Sequence, residues 1–151
     1  GRQFQLEVAA YPEVHPQSKS PEADLAAFLA KVEAGADSGI TQYFFNADAY
    51  LRYVDELRKR GVQVPVVPGI MPITSSTQLL RFSDACGAEI PRWIRLRLQA
   101  YGDDSESIKA FGLDVVTALC ERLRSEGVPG LHFYTMNQSA ATLEICRRLG
   151  W

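Results

Sequence analysis

Val8-Ala9-Ala10-Tyr11-Pro12-Glu13-Val14-His15-Pro16 and Ile40-Thr41-Gln42-Tyr43-Phe44-Phe45 each begin as an apolar strand pattern and run into polar rings or an amide. Leu6, Val8 and Ala10 alternate with Glu7, Ala9 and Tyr11, which predicts a first strand ending at Pro12, where the missing N–H stops a ladder. Ile40 to Phe45 predicts the second strand. A glutamine inside a hydrocarbon strand is costly unless its amide finds partners, so Gln42 marks either a core hydrogen-bond network or a ligand mouth.

Working outward, Ser20 predicts the N-cap of a helix over 21–34, with Pro21 and Glu22 in its first turn and Leu25, Phe28, Leu29 and Val32 on its apolar stripe. Tyr50, Leu51, Val54 and Leu57 recur at helical spacing before Gly61. Val64 to Val67 reads as a third strand closed by Pro68-Gly69, and Thr74 or Ser75 caps a helix running through Cys86. Pro91 to Gln99 is a short amphipathic helix. Asp104 or Ser105 starts a long one stopped by Gly127; a fourth strand, Leu131 to Thr135, and a helix from Ser139 to Leu149 complete the pattern.

Four strands each followed by helix require a parallel sheet with right-handed crossovers, an α/β fold. An open doubly wound sheet and an arc of a (βα)8 barrel both satisfy that pattern. Tyr11, His15, Gln42, Gln78 and Asn137 fall at or beyond strand carboxyl ends, where barrels place their chemistry, and no GxGxxG follows any strand. The expectation is therefore a TIM-barrel-type chain of about four βα units.

The 151 residues, 46% hydrophobic and 23% charged, suit one domain, residues 1–151. A formal charge of −2 without a basic block gives no footprint for nucleic acid or an anionic membrane surface. No apolar run reaches the roughly 18 residues of a membrane span. Cys86, Cys120 and Cys146 lack CxxC spacing, so reduced thiols in a cytoplasmic setting are expected, and no constellation has metal-ligand spacing. Gly1 in place of a methionine suggests a trimmed chain.

Five segments together carry a family resemblance: AAYPEVHP (9–16), ITQYFF (40–45), PGIMPI (68–73) with Gln78 and Phe82 downstream, IPRW (90–93) and GLHFYTMN (130–137). In order and spacing the chain resembles the methylenetetrahydrofolate reductase family, over the carboxyl-terminal half of its catalytic barrel, strands five to eight. The resemblance implies bound FAD, with NADH or NADPH as hydride donor. It implies reduction of 5,10-methylenetetrahydrofolate to 5-methyltetrahydrofolate in a ping-pong cycle serving one-carbon and methionine metabolism. It places Tyr11, His15, Asp24 and Lys31 on the flavin, the last two toward its ribose and its pyrophosphate or adenine part. Gln42, Gln78 and Phe82 fall to folate and nicotinamide, with Phe82 as a stacking ring.

Asp24 and Lys31 are read as sharing one helix face near its amino end, where the dipole favours the carboxylate and gives Lys31 nothing. Ala27 and Ala30 stand where the family often has polar contacts, which implies a loosened hold on the adenine end. Gln138 stands where many relatives carry arginine, leaving the folate glutamate tail to another cation such as Arg95 or Arg97. His132 is read as an interior histidine, and Trp93 and Trp151 as packing residues. The family's proton-donating acid lies in the first four strand units, so no residue here is assigned catalysis.

Two further readings stand beside this one. The first is a non-catalytic half-barrel serving only as a structural or assembly module. The second is an aldolase-type barrel, disfavoured because Lys19, Lys31, Lys59 and Lys109 fall in loop or helix patterns rather than at strand ends. A half-barrel exposes two sheet edges, so self-association or pairing with an amino-terminal half is expected. The geometric requirement of the reductase reading is that positions 11, 15, 42, 78 and 82 meet at one rim.

Overall fold

A computed structural model describes residues 4–151. The strands are β1 (Glu7–Ala10), β2 (Ser38–Thr41), β3 (Val66–Val67), β4 (Gly69–Ile70) and β5 (His132–Phe133), and the helices are α1 (Pro21–Glu33), α2 (Ala47–Lys59), α3 (Ser76–Cys86), α4 (Arg92–Tyr101), α5 (Ser105–Ser125) and α6 (Ala140–Arg148). All pairings are parallel. β2 lies between β1 and β3, and β4 pairs with β5, so neighbours in sequence are neighbours in space, as along the arc of a (βα) barrel.

Two strand expectations need correction. β2 stops at Thr41 rather than Phe45, because Tyr43, Phe44 and Phe45 leave the ladder to bury their rings; Phe44 stacks on Tyr50 with centroids 5.4 Å apart. Gln42 is thus the first residue past the strand, not a member of it. The third strand does end at Pro68, which has no N–H to offer, but it begins at Val66 rather than Val64, and Gly69 belongs to a new strand that pairs with β5 instead of β2. The Pro68 carbonyl accepts the His132 N–H at 3.0 Å, and the Ile70 carbonyl accepts that of Tyr134 at 2.8 Å.

The joint between the two pairings is stitched by Thr41. Its Oγ1 accepts the Gly69 N–H at 2.8 Å, while its carbonyl accepts the Tyr134 hydroxyl at 2.8 Å. A Cβ at position 69 would sit 2.1 Å from the Thr41 carbonyl oxygen, so only glycine permits this approach.

Helix starts follow the sequence closely. The Ser20 hydroxyl accepts the Ala23 N–H at 3.1 Å, Ser75 that of Gln78 at 3.3 Å, and Asp104 that of Ser107 at 3.1 Å. Asn46 caps α2 in the same way through the Asp48 N–H. The helices lay Leu25, Phe28, Leu57, Leu79, Val116, Leu123 and Ile145 against the strands in one buried core. Among the described residues, β1 and β5 lie at the two outer ends of the arc with one strand neighbour each, so both outer edges are open. No described helix is long and apolar enough to cross a membrane.

The tryptophans pack only at the surface: Trp93 is 56% exposed with its ring edge-on to Phe111 at 6.0 Å, and Trp151 is 60% exposed beneath the Arg124 guanidinium. The sequence registers their bulk, but not that α4 turns Ile94 and Leu98 inward instead. His132 is half-buried rather than interior, set edge-on to Tyr134 at 4.8 Å.

Candidate functional site

At the carboxyl end of β1 the chain turns back to hold His15 against Tyr11, their rings edge-on with centroids 4.5 Å apart. The turn requires Val14 at φ 72°, a left-handed conformation that a β-branched residue adopts only under constraint. His15 Nδ1 accepts the Gln17 N–H at 3.0 Å, so the neutral ring carries its proton on Nε2, a donor free for a ligand.

α1 then places Asp24 in its first turn and Lys31 in its last, rather than both near the amino end. The helix dipole therefore favours both charges, and position alone does not separate them. Lys31 Nζ donates to the Ala9 carbonyl at 2.9 Å, a group left over because the Ala10 carbonyl is the one that turns to β2, taking the Gln42 N–H at 2.8 Å. An ammonium has two more hydrogens to give. Burial pushes the Asp24 carboxyl above its ordinary range, opposed by the His15 backbone N–H and by the nearby His15 and Lys31 side chains. Tyr11, His15, Asp24 and Lys31 line a single cleft of about 210 Å³, with Ala27, Phe28 and Tyr53 behind them.

Gln42 occupies the next stretch of rim. Half-buried at the end of β2, it accepts the Tyr43 N–H on Oε1 at 3.0 Å, and it lines a shallow groove with Tyr11, His15, Pro16 and Cys86. Its amide NH₂ points to no protein acceptor among the described hydrogen bonds. Beyond it, Gln78 and Phe82 face an apolar cleft of about 420 Å³, walled by Ile73, Leu79, Leu113 and Tyr134. The five positions thus share one rim but not one cavity. Tyr11, His15 and Gln42 line one groove; Gln78 and Phe82 stand on α3, whose Cys86 end borders that groove.

Loop and helix are tied where these regions meet. Glu13 accepts the Glu89 N–H at 2.9 Å, and burial raises its carboxyl above the usual range, helped by the charge of Glu89. The Tyr43 hydroxyl, 2.9 Å from Ser83 Oγ and contacted by the Cys86 thiol, fixes the inner face of α3.

Four lining residues escape the sequence reading: Lys109, Glu144, Tyr134 and Tyr53. Lys109 faces the apolar cleft because α5 is pressed onto the segment after β4: a Cβ on Gly112 would sit 2.1 Å from the Ile73 carbonyl oxygen. A glycine inside a helical pattern was the available signal. Arg95, donating to the Ile90 carbonyl at 3.1 Å, and Arg97, over the Tyr101 ring at 5.8 Å, do not line the cleft; Gln138 and Lys109 do. Glu144 lines it as well, but Arg147 and Arg148 neutralise it and hold its carboxyl down at about 2. Tyr134, at the end of β5, supplies a wall. Tyr53 lines the polar cleft, and its phenol on the apolar stripe of α2 could have been singled out by the argument applied to Gln42.

These features define a chain of the (βα)-barrel class whose polar side chains gather at the carboxyl ends of parallel strands. Residues 1–150 match the family model described as methylenetetrahydrofolate reductase. The 5,10-methylenetetrahydrofolate reductases of Salmonella typhimurium and Escherichia coli are each 40% identical over 147 residues, covering 97% of this chain and 50% of the relative. A rice protein described as a probable methylenetetrahydrofolate reductase (NADH) is 39% identical, covering 99% of this chain and 27% of that one. The chain belongs to the methylenetetrahydrofolate reductase family, and it spans about half the length of the bacterial relatives. A solved Clostridium thermocellum protein, described as binding two copies of 5-methyl-5,6,7,8-tetrahydrofolic acid, matches in fold with TM-score 0.62 at 20% identity, covering 95% of this chain and 51% of that one.

Proposed function

We propose that this chain, residues 1–151, is the carboxyl-terminal half of a flavin-dependent methylenetetrahydrofolate reductase barrel. In this reading it binds FAD in the polar cleft and receives NADH or NADPH and methylenetetrahydrofolate in turn beside it. The observation that carries this reading is the gathering of Tyr11, His15, Asp24 and Lys31 in one cleft, adjoining an apolar slot bordered by two amide side chains and an aromatic ring. Family membership and half-length coverage support it.

The donor set fits the cofactor. A carboxylate suits a ribose diol, an ammonium with spare hydrogens suits a pyrophosphate, and an imidazole N–H suits a phosphate or ribose oxygen. FAD would supply hydride acceptance and donation; the protein's part is orientation. Lys31, anchored on the Ala9 carbonyl, holds its charge at the strand end. Phe82 offers a flat apolar face to whichever planar substrate enters, and Gln42 and Gln78 present amides that both donate and accept toward a pterin or a carboxamide edge. Lys109 and Gln138 stand at the same slot to meet the folate glutamate tail, in place of Arg95 or Arg97. The open edges of β1 and β5 are where the other four strand units, or a second copy, would pair. The free thiols suit a reducing, cytoplasmic setting.

The test is a pair of variants in the complete protein. Lys31→Met lowers flavin retention roughly tenfold, the scale of one charge-assisted hydrogen bond. Phe82→Ala leaves flavin content intact and cuts folate turnover at least tenfold. Purified complete protein that neither carries flavin nor binds it on titration would overturn the proposal and favour a purely structural module.

A further inference from the structure

Behind the polar cleft, between α1 and α2, lies a side chain whose chemistry is unfinished. Tyr53 is 9% exposed, its ring edge-on to Phe28 with centroids 6.0 Å apart, and its hydroxyl oxygen is buried without a hydrogen-bond partner among the described residues. A buried phenol normally finds a partner, and an unmet one is destabilising. Among the described residues the hydroxyl proton therefore has no acceptor. Burial, with the nearby Asp24 charge, holds the phenol in its neutral, donating form.

The residues around it are those of the cleft: Ala9, Tyr11, Asp24, Ala27 and Lys31. All the other polar side chains of the cofactor reading enter from the β1–α1 unit, whereas Tyr53 alone enters from α2. It lines the cleft together with Ala27, one of the two positions where the family resemblance implies a loosened hold on the adenine end. We infer that the Tyr53 hydroxyl is a ligand-binding donor of this cleft, taking an oxygen acceptor of the adenosine diphosphate part of FAD. The inference rests on the reading of the cleft as a flavin site and adds to it a contact supplied from the neighbouring βα unit.

A binding donor and a structural one respond oppositely to the same change. Tyr53→Phe keeps the ring packing and removes only the oxygen. In the complete apoprotein, FAD affinity measured by fluorescence titration is expected to fall roughly three- to tenfold, the value of one neutral hydrogen bond. FMN, which lacks the adenosine part, should bind the variant and the parent alike. The flavin-free variant should melt no lower than the parent, because a hydroxyl without a partner is being removed. Lower stability of the flavin-free variant would show that the hydroxyl already serves the fold, and would overturn the inference. Unchanged FAD affinity, or equal loss for FMN, would overturn it too while leaving the flavin reading standing. Parent protein that binds neither flavin would overturn both.

Discussion

The polar and apolar clefts share a rim yet are held open by different means. The polar one is built at an edge strand: β1 has one neighbour, and the cleft's charges come from a single helix whose Lys31 is anchored on a strand carbonyl. The apolar one sits at the carboxyl ends of β4 and β5, with α3, α5 and α6 packed round it and backbone nearly touching backbone at Gly112. Charged side chains keep part of their hydration in an open edge cleft, where a long, flexible anionic cofactor can lie along them. A planar substrate needs the dry, shaped slot that tight packing supplies. One rim thus offers electrostatics on one side and shape on the other.

The sharpest way to break that contrast is to spoil the packing. Gly112→Ala places a methyl against the Ile73 carbonyl oxygen, which cannot retreat without moving the segment after β4. Chemical unfolding of the complete protein is expected to show a loss of about 3 kcal/mol, near the top of the range for overpacking. Folate affinity should fall with it and flavin affinity should not, since α5 does not touch the polar cleft. An equal loss of both ligands would mean that the two clefts respond as one body.

A milder change aims at the other side. Ser20→Ala removes the side-chain cap that holds the Ala23 N–H at 3.1 Å and frees the first turn of α1, which carries Asp24. A loss of about 1 kcal/mol is expected on denaturation, accompanied by weaker flavin binding and unchanged folate binding. The reverse pattern would show that the polar cleft does not depend on its helix for shape.

How much of this was legible in the sequence follows the same divide. Helix starts could be read from Ser20, Ser75 and Asp104, because a cap is a local event between residues three apart. That Tyr11, His15, Asp24 and Lys31 gather in one edge cleft could be read too, because all four fall in the stretch from Tyr11 to Lys31. The central joint could not. Whether Tyr43, Phe44 and Phe45 extend a ladder or leave it is decided by where Tyr50 places its ring, and the change of strand partner at Pro68 is decided by β5, more than sixty residues downstream. Lys109 and Tyr53 escaped for a related reason, since each reaches its cleft through the packing of a neighbouring helix rather than from a strand end.

The smallest effect is the most diagnostic, because its sign separates binding from folding. Burial raises the Asp24 carboxyl above its ordinary value of 3.8, so the folded protein keeps this proton to a higher pH than the unfolded chain does. Where the native state binds more protons, stability declines as pH rises through the interval between the two values, and the penalty stays in full above it. Asp24→Asn should therefore stabilise the flavin-free protein at neutral pH. The gain is only a few tenths of a kcal/mol, because the carboxylate is half-buried and its cost is partly screened by solvent. Below the ordinary carboxylate value both states of the parent are protonated, and the gain should vanish there. Flavin affinity should meanwhile drop, because an amide offers a ribose diol a neutral acceptor in place of a charged one. Thermal melts of parent and variant from pH 3 to pH 8, paired with flavin titrations, read both quantities. A variant that is less stable at neutral pH would mean that the carboxylate braces α1 through its dipole, making Asp24 a structural residue.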